Sequence, residues 1–371
     1  EPIGPGWRIR VGAEVAPGLW IWTVDAIEQV RVGVHTGQVT GVADPGTLVT
    51  VTLRAANGTQ KAIDDDLANN AGTYGVAFGG PNGIAIGDRV EVTFVAGDPV
   101  IVPVSNVTAQ TDKAADRVSG EAPAGTVVTV SRQQGGQTTR KSVTADASGR
   151  YSAEFAGTLD ITDPMAGEVA VRLLSGHELV SSWAAVRMAL EINDTFVSGN
   201  GPSGRTAAIA LVDRNGVVVA TGQANIGGGG GGGGGGPGGG GFGGNWLVNL
   251  TDTTDQPVRI QVGDTVRATV GDDVFNLVVP ELRGAAFVAD DVVNGVTAAG
   301  KVVGIDVVRP LVGDDAEAEA TADGNGNFSH TFSGTFDLQH NDSITFNIDE
   351  AGHTILSQIF VPGLRLNLDT G

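Results

Sequence analysis

The stretch that decides the fold is "GVADPGTLVTV" at Gly41–Val51, in which two glycines, five residues apart, lead into alternating apolar and polar residues. Alternation with a period of two is typical of a β-strand that buries one face. The same pattern occurs three more times, as "GEAPAGTVVTV" at Gly120–Val130, "GNGPSGRTAAI" at Gly199–Ile209 and "GVTAAGKVVGI" at Gly295–Ile305. Four copies of one pattern indicate an internal repeat.

The repeat has a regular period. Its first glycines lie 79, 79 and 96 residues apart, and the long interval contains the 18-residue polyglycine segment 227–244. Two further landmarks keep the same phase: an aromatic residue that opens a strand, and a polar turn that precedes an alternating strand. The aromatic residues are Tyr74, Tyr151, Trp246 and Phe328, and the turns begin at Gly87, Gly167, Gly263 and Asn341. A period of this length, with turns about every 8–12 residues, predicts one seven-stranded β-sandwich per repeat.

The sequence therefore predicts an all-β protein of four tandem immunoglobulin-like β-sandwich modules with scarcely any helix. The modules are expected at 25–104, 105–186, 187–282 and 283–364. Residues 1–24 are expected to form the last hairpin of an incomplete module, because Ile9 and Val11 lie 81 residues before Val90 and Val92. Residues 365–371 align with the first strands that begin at the other module junctions, so a C-terminal strand is expected there. The polyglycine insert 227–244 is interpreted as a flexible loop, with extended polyglycine packed against a neighbour as the alternative.

The stretches "VTGVADPGTLVTVTL", "TADASGRYSAEF" and "IGDRVEVTF" resemble the bacterial immunoglobulin-like modules found in tandem on surface proteins and adhesin stalks. The resemblance covers nearly the whole chain and is strongest in the first two modules. The third module departs from it through its polyglycine insert, and the fourth through "GVTAAGKVVGI". The resemblance implies an extracellular structural or adhesive role rather than a catalytic one. We therefore expect a secreted, extracellular or cell-surface protein.

Composition excludes several classes of function. The formal net charge is −20, which disfavours binding to a nucleic-acid backbone. The chain has no cysteine, so it offers no disulfide, zinc–thiolate site or thiol nucleophile. No apolar run approaches the roughly 20 residues of a membrane-spanning helix, so we expect no membrane insertion.

No motif indicates an enzyme, and we expect no required cofactor. "GVTAAGKV" at Gly295–Val302 is similar to a phosphate-binding loop, but Val302 stands where that loop needs Ser or Thr to hold magnesium. The five histidines are scattered and show no metal-binding spacing. Two-sheet modules can bring distant residues together, so catalysis is unsupported by the sequence rather than excluded.

Two weaker candidates concern ligands. Asp323, Asn325 and Asn327 have the alternating oxygen ligands of a calcium loop, but Phe328 replaces its glycine, and an ordinary hairpin turn is the favoured interpretation. Six Asn-x-Ser/Thr sequons would carry glycans only if the source cell glycosylates exported proteins. They begin at Asn57, Asn106, Asn193, Asn249, Asn327 and Asn341.

The two ends of the chain supply the candidate subunit interface. At the C-terminus, Leu364, Leu366 and Leu368 alternate with polar residues, and the N-terminal segment contains the apolar residues Trp7, Ile9, Val11, Trp20 and Trp22. One hypothesis is a structural subunit of an extracellular filament or surface layer, in which copies of the chain join head to tail by β-strand addition. The alternative is an adhesin or glycan-binding stalk that forms part of a longer surface protein, with tryptophans that stack on sugars.

Overall fold

The computed structural model describes residues 5–79, 83–94, 98–134, 137–227, 243–310 and 315–362, with the backbone alone for 22–25 and 134. Strands make up 57% of the structure, and no α-helix is present in the described part of the chain. A single turn of 3₁₀ helix is described, at Val288–Asp290. The prediction of an all-β protein is confirmed.

The strands follow one another in five groups along the chain. The N-terminal hairpin consists of β1 (Arg8–Ala16) and β2 (Leu19–Ala26). The 25–104 segment contains β3 (Gln29–Gly33), β4 (Gln38–Val42), β5 (Leu48–Arg54), β6 (Gln60–Leu67), β7 (Thr73–Ala77), β8 (Arg89–Phe94) and β9 (Val100–Pro103). The 105–186 segment contains β10 (Gln110–Asp112), β11 (Arg117–Glu121), β12 (Val127–Gln134), β13 (Gln137–Thr144), β14 (Arg150–Glu154), β15 (Ala166–Arg172) and β16 (Glu178–Ala184).

The second half of the chain likewise contains two groups of seven strands. The 187–282 segment contains β17 (Met188–Glu191), β18 (Phe196–Pro202), β19 (Thr206–Val212), β20 (Val218–Asn225), β21 (Gly243–Asn249), β22 (Thr265–Val270) and β23 (Asp273–Val278). The 283–364 segment contains β24 (Arg283–Phe287), β25 (Val292–Val296), β26 (Val302–Val308), β27 (Asp315–Thr321), β28 (Asn327–Thr331), β29 (Ser343–Glu350) and β30 (His353–Phe360).

Each group of seven strands is paired in the same antiparallel pattern. The first, second and fifth strands form one sheet, as in β10-β11-β14, and the fourth, third, sixth and seventh form another, as in β6-β5-β8-β9. This pattern recurs four times and is consistent with β-sandwich modules. The division of the chain into four immunoglobulin-like modules, and the boundaries between them, stay predictions.

The first glycine of the repeated motif makes room for the aromatic landmark. Gly41 lies opposite Tyr74 in the pairing of β4 with β7, and a Cβ on Gly41 would lie 2.5 Å from the Tyr74 hydroxyl. That hydroxyl donates a hydrogen bond to the carbonyl of Gln29 in β3 (3.0 Å). The other three pairs are Gly120 with Tyr151, Gly199 with Trp246 and Gly295 with Phe328. Two landmarks of the sequence are therefore a single cross-strand contact.

The second glycine of the motif lies in a turn whose backbone conformation is rare for residues that have a side chain. Its φ angle is +80°, +74°, +78° and +77° in the four copies, at Gly46, Gly125, Gly204 and Gly300. Only glycine enters this left-handed region at little cost. The spacing between the two glycines therefore reflects the distance from the aromatic contact to the turn that starts the next strand.

Two of the sheets extend across the predicted module boundaries. The last strand β16 lies parallel to β3, which gives the seven-stranded sheet β13-β12-β15-β16-β3-β4-β7, and β30 lies parallel to β17, which gives β21-β18-β17-β30-β29-β26-β27. The buried apolar side chains accordingly form two clusters, one from Val30 to Ala185 and one from Val186 to Val361. The repeats are thus joined in pairs, which their period alone does not predict.

Candidate assembly surface

Among the residues of the N-terminal hairpin whose side chains the structure describes, none belongs to either hydrophobic cluster. Its strands are antiparallel, with Arg8 opposite Ala26 at the base and Glu14 opposite Trp20 near the tip. In the described part of the chain its sheet has two strands and no third. Because an isolated two-stranded hairpin is at best marginally stable in water, this one needs further contacts.

The base of the hairpin is held against the 25–104 segment. The backbone N–H of Ala26 donates to the carboxylate of Asp44 (2.7 Å), and the guanidinium of Arg8 donates to the carbonyl of Ala71. Next to the base, the N–H of Ile27 donates to the carbonyl of Trp7 (2.8 Å). The hairpin is therefore fixed in direction at its base while its strands remain exposed.

The predicted interface residues on the hairpin are exposed where the structure describes their side chains. This holds for Trp7, Ile9, Val11 and Trp20. Trp22 lies in β2, but its side chain is outside the described residues. An exposed apolar surface of this kind on a soluble protein is typical of an interaction site.

Three further apolar residues of the hairpin, which the sequence prediction left out, are also exposed. Val15, Leu19 and Ile21 lie on the same two strands, and Leu19 and Ile21 are 59% and 62% exposed. The sequence from Leu19 to Trp22 does not alternate, because every residue in it is apolar. The pattern therefore did not predict which face of β2 is buried. An unbroken apolar run of this kind is typical of a strand that is covered on both faces.

The three leucines predicted to form the other half of the interface, Leu364, Leu366 and Leu368, lie outside the described residues, as does the whole of 365–371. The same is true of most of the polyglycine insert. Pairing between the tail and the hairpin therefore stays a prediction.

The two parallel contacts between repeats, which we call strand joints, share one register. In the first, Leu179 of β16 lies opposite Val32 of β3, and in the second, Ile355 of β30 lies opposite Leu190 of β17. The four side chains are at most 1% exposed. In both joints a backbone N–H just after the first strand donates to a carbonyl of the last strand and so extends the pairing. The N–O distance is 2.9 Å in the first joint and 2.8 Å in the second.

A histidine begins each strand joint. The N–H of Val30 donates to Nδ1 of His177 (3.3 Å), and the N–H of Met188 donates to Nδ1 of His353 (3.2 Å). Burial lowers the pKa of both histidines, which keeps Nδ1 unprotonated and able to accept. Sequence reasoning treated the histidines as scattered. The missed signal is the Gly-His pair that precedes the last strand of the second and fourth repeats, "GHELV" and "GHTIL".

The second and third repeats meet in a different way. Here the first strand β10 approaches the start of β23, and the N–H of Ala109 donates to the carboxylate of Asp272 (3.0 Å) while the N–H of Thr111 donates to that of Asp273 (3.2 Å). Carboxylates thus replace the backbone carbonyls of a strand partner. Within the described residues no β-pairing is formed at this contact.

The charged groups at this contact have shifted pKa values. Burial raises the pKa of Asp273 to about 7. Burial, and secondarily the positive charge of Arg205, lower the pKa of His35 to about 4. The Arg205 guanidinium contacts both His35 and Asp272, so residues from the first and third repeats meet here.

The candidate calcium loop is arranged as a hairpin turn. One oxygen of Asp323 accepts hydrogen bonds from the N–H groups of Asn325 (2.8 Å) and Asn327 (2.9 Å), which lowers the pKa of the carboxyl. Asp146 caps the equivalent turn of the second repeat in the same way. The geometry supports the turn interpretation that the sequence favoured.

The stretch similar to a phosphate-binding loop has a structural use. The Lys301 ammonium donates to the carbonyl of Asp349 (2.8 Å) and pairs with Glu350 (2.9 Å), which ties the turn to β29. Among the described residues, no group of three or more His, Asp or Glu side chains is placed to hold a metal ion. The absence of catalysis stays an expectation from the sequence.

Comparison with known proteins assigns no family. No family model matches the chain, and a search of curated proteins gave no match. Solved structures that it resembles include the tetra-tandem repeat in the extending region of a large adhesion protein (15% identity, 90% of this chain and 98% of that one, TM-score 0.19). Others are the BSP domain of a biofilm associated protein (9%, 99% and 98%, TM-score 0.18) and a bacterial ice-binding adhesin (14%, 82% and 97%, TM-score 0.15). Similarities this weak carry no conclusion about function.

The search for membrane-spanning helices was also negative. In the described residues, no helix has the length and apolar character needed to cross a bilayer.

Proposed function

We propose that this protein is a structural subunit of an extracellular filament or surface layer, built from four tandem immunoglobulin-like modules. In this proposal, copies join head to tail when the C-terminal strand of one copy adds to the N-terminal hairpin of the next. The observation that carries it is the two-stranded hairpin β1–β2, which is fixed at its base and exposes apolar side chains along both strands.

The energetics favour an interface that uses both ends. Burial of Leu364, Leu366 and Leu368 contributes about 5–8 kcal/mol gross. Ordering a seven-residue tail costs about 7–14 kcal/mol, so the tail alone would hardly stay bound. Leu19 and Ile21 are 59% and 62% exposed, so their burial adds about 2–4 kcal/mol, which brings gain and cost to similar values. The hairpin is thus a necessary half of the interface.

The experiment compares the full chain with two double variants of the tail. Leu366→Ser with Leu368→Ser removes the apolar side chains, while the matched control Asn367→Ser with Asp369→Ser changes only the polar residues that alternate with them. We expect polymers of the full chain and of the control in sedimentation and electron microscopy, and monomers of the leucine variant. Failure of the full chain to polymerise at any concentration would contradict the proposal, and so would polymers that survive loss of both leucines.

A second candidate function is supported by the exposed indole rings of Trp7 and Trp20. Aromatic rings of this kind stack on sugar faces, which fits an adhesin or glycan-binding stalk. Glycan binding that is lost in Trp7→Ala or Trp20→Ala, by a chain that stays monomeric, would favour this alternative over the filament.

A further inference from the structure

The first strands of the four repeats fall into two chemical classes. In each first strand, two residues point inward. The pairing with the following strand identifies them, because the first of the two lies opposite the first glycine of the motif. They are Val30 and Val32 at β3, Ala109 and Thr111 at β10, Met188 and Leu190 at β17, and Gly284 and Ala286 at β24. The first and third repeats therefore form an aliphatic class, with Val, Met or Leu at both positions, and the second and fourth repeats carry Gly, Ala or Thr.

The class of a first strand matches the contact it makes with the next repeat. In the strand joints, Val32 of β3 lies opposite Leu179, and Leu190 of β17 lies opposite Ile355. At β10 the backbone N–H groups of Ala109 and Thr111 instead donate to the carboxylates of Asp272 and Asp273. An aliphatic first strand thus pairs with an aliphatic last strand, whereas β10 meets carboxylates.

The hairpin register shows which class β2 belongs to. Val49 pairs with Phe94, and the equivalent Val128 pairs with Val171, so Phe94 and Val171 hold the same place in their repeats. Ala13 lies 81 residues before Phe94, which is the offset that aligns β1 with β8. Ala13 therefore holds this place in the N-terminal hairpin.

Across their hairpins, Val171 lies opposite Leu179 and Ala13 lies opposite Ile21. Ile21 accordingly occupies the place of Leu179 in the first strand joint, and Leu19 occupies the place of its histidine. Leu179 is fully buried, whereas Ile21 is 62% exposed. β2 therefore carries the aliphatic residues of such a last strand, and in the described chain it lies at the edge of a two-stranded sheet.

The sequence of the tail, which lies outside the described residues, matches that of a first strand of this class. In the alignment of 365–371 with β17, Leu366 takes the place of Met188 and Leu368 takes the place of Leu190. Both positions carry large aliphatic side chains, as they do in the two repeats that form strand joints. In the described residues, β2 is thus an aliphatic last strand at the edge of its two-stranded sheet, and the tail sequence is of the complementary class.

We propose that the tail of one copy lies parallel to β2 of a second copy, with Leu368 opposite Ile21 and Leu366 opposite Leu19, in the register of the two internal strand joints. This inference rests on the proposed head-to-tail assembly and specifies its direction, register and partner edge. The strand β9 is the competing edge, but Asp98 stands there in the place of Ile21. A carboxylate opposite Leu368 would lose the aliphatic contact that both internal joints have.

The test uses the absence of cysteine from the natural sequence. Four full-length variants carry one cysteine each: Leu19→Cys, Ile21→Cys, Leu366→Cys and Leu368→Cys. Each hairpin variant is mixed with each tail variant and oxidised, and one member of every mixture carries a mass tag so that the mixed dimer is identified. A disulfide needs Cα atoms within about 7 Å, which directly opposite residues satisfy and residues two places out of register do not.

The parallel register predicts that the pairs 366 with 19 and 368 with 21 form about tenfold more mixed disulfide than the crossed pairs 366 with 21 and 368 with 19. An excess of the crossed pairs would mean an antiparallel arrangement and would overturn the register. A fifth variant, Asp98→Cys, is mixed with the tail variants in the same way, and a dominant product between it and Leu368→Cys would place the tail on β9 and overturn the partner edge. Sedimentation of the unsubstituted chain separates the two proposals: polymers with the wrong disulfides refute only this inference, whereas no polymers at all refute the proposed function with it.

Discussion

Replacing Gly199 by alanine tests the physical basis of the repeat. A Cβ at this position would lie 2.5 Å from the carbonyl oxygen of Arg187 and 2.7 Å from the Trp246 ring. Neither neighbour can retreat freely, because the Arg187 carbonyl accepts the N–H of Asn200 (3.1 Å) and Trp246 is buried in the core.

The magnitude follows from the size of the displacement. Ordinary contact begins near 3.4 Å, so the two neighbours must each move by most of an ångström on opposite sides of the new methyl group. Overpacking of this kind costs about 1–3 kcal/mol, and we expect the upper part of that range because one neighbour is backbone. The control is Gly324→Ala in the same hydrophobic unit, where a Cβ meets nothing within 4 Å. Its free energy of unfolding should change by less than about 0.5 kcal/mol.

The assay is urea unfolding followed by circular dichroism, with hydrogen exchange and mass spectrometry to localise the effect. We expect Gly199→Ala to unfold at lower urea than Gly324→Ala, with faster exchange confined to 187–362, the part that contains the second hydrophobic cluster. If the two variants unfold at the same urea concentration, the aromatic contact does not require the first glycine, and close packing is not the reason that the motif recurs.

Two further results are expected. In the strand joint, Ile355→Ala should lower the free energy of unfolding by about 2–5 kcal/mol, because it leaves a cavity beside a fully buried position, whereas Leu174→Ala at a fully exposed turn should leave the urea midpoint unchanged. Between about pH 6.5 and 4, the unfolded chain binds a proton at His35 that the native state does not bind, while the native state keeps on Asp273 a proton that the unfolded chain releases. These opposing slopes nearly cancel, so Asp273→Asn should lose stability on acidification by up to about 1.4 kcal/mol per pH unit more than the natural chain. Equal pH dependence of the two chains in urea unfolding would contradict this assignment.

The sequence was informative where a local constraint recurs. The glycine pairs and the aromatic residues repeat because each copy needs the same close approach and the same left-handed turn, and these positions predicted an all-β chain with seven strands per period. The 81-residue offset of Ile9 and Val11 was the basis for expecting a hairpin at 1–24, and the structure has a two-stranded sheet at 8–26.

The strand joints could not be predicted from the same patterns. Alternation tells which face of a strand is buried, but not which edge is paired or with which distant strand. Val32 and Leu179 are ordinary core residues in sequence, and only the structure shows them opposite each other. His177 and His353 had a detectable Gly-His signal, but its meaning depends on a joint that the period does not reveal.

The strand joints also determine the order in which the repeats can fold during synthesis. β3 must wait for β16, since Arg31 and its partner Glu178 are 147 residues apart, and synthesis at roughly 5–20 residues per second imposes a delay of roughly 7–30 seconds. During that interval the outer edge of β3 lacks its strand partner and can pair with a second nascent chain. A chain that has reached residue 186 has closed its first joint, whereas one that has reached 282 still has β17 open. Folding during synthesis therefore proceeds in steps of two repeats. A pause in synthesis after the third repeat leaves an open strand edge that can pair with another chain, whereas a pause after the second does not.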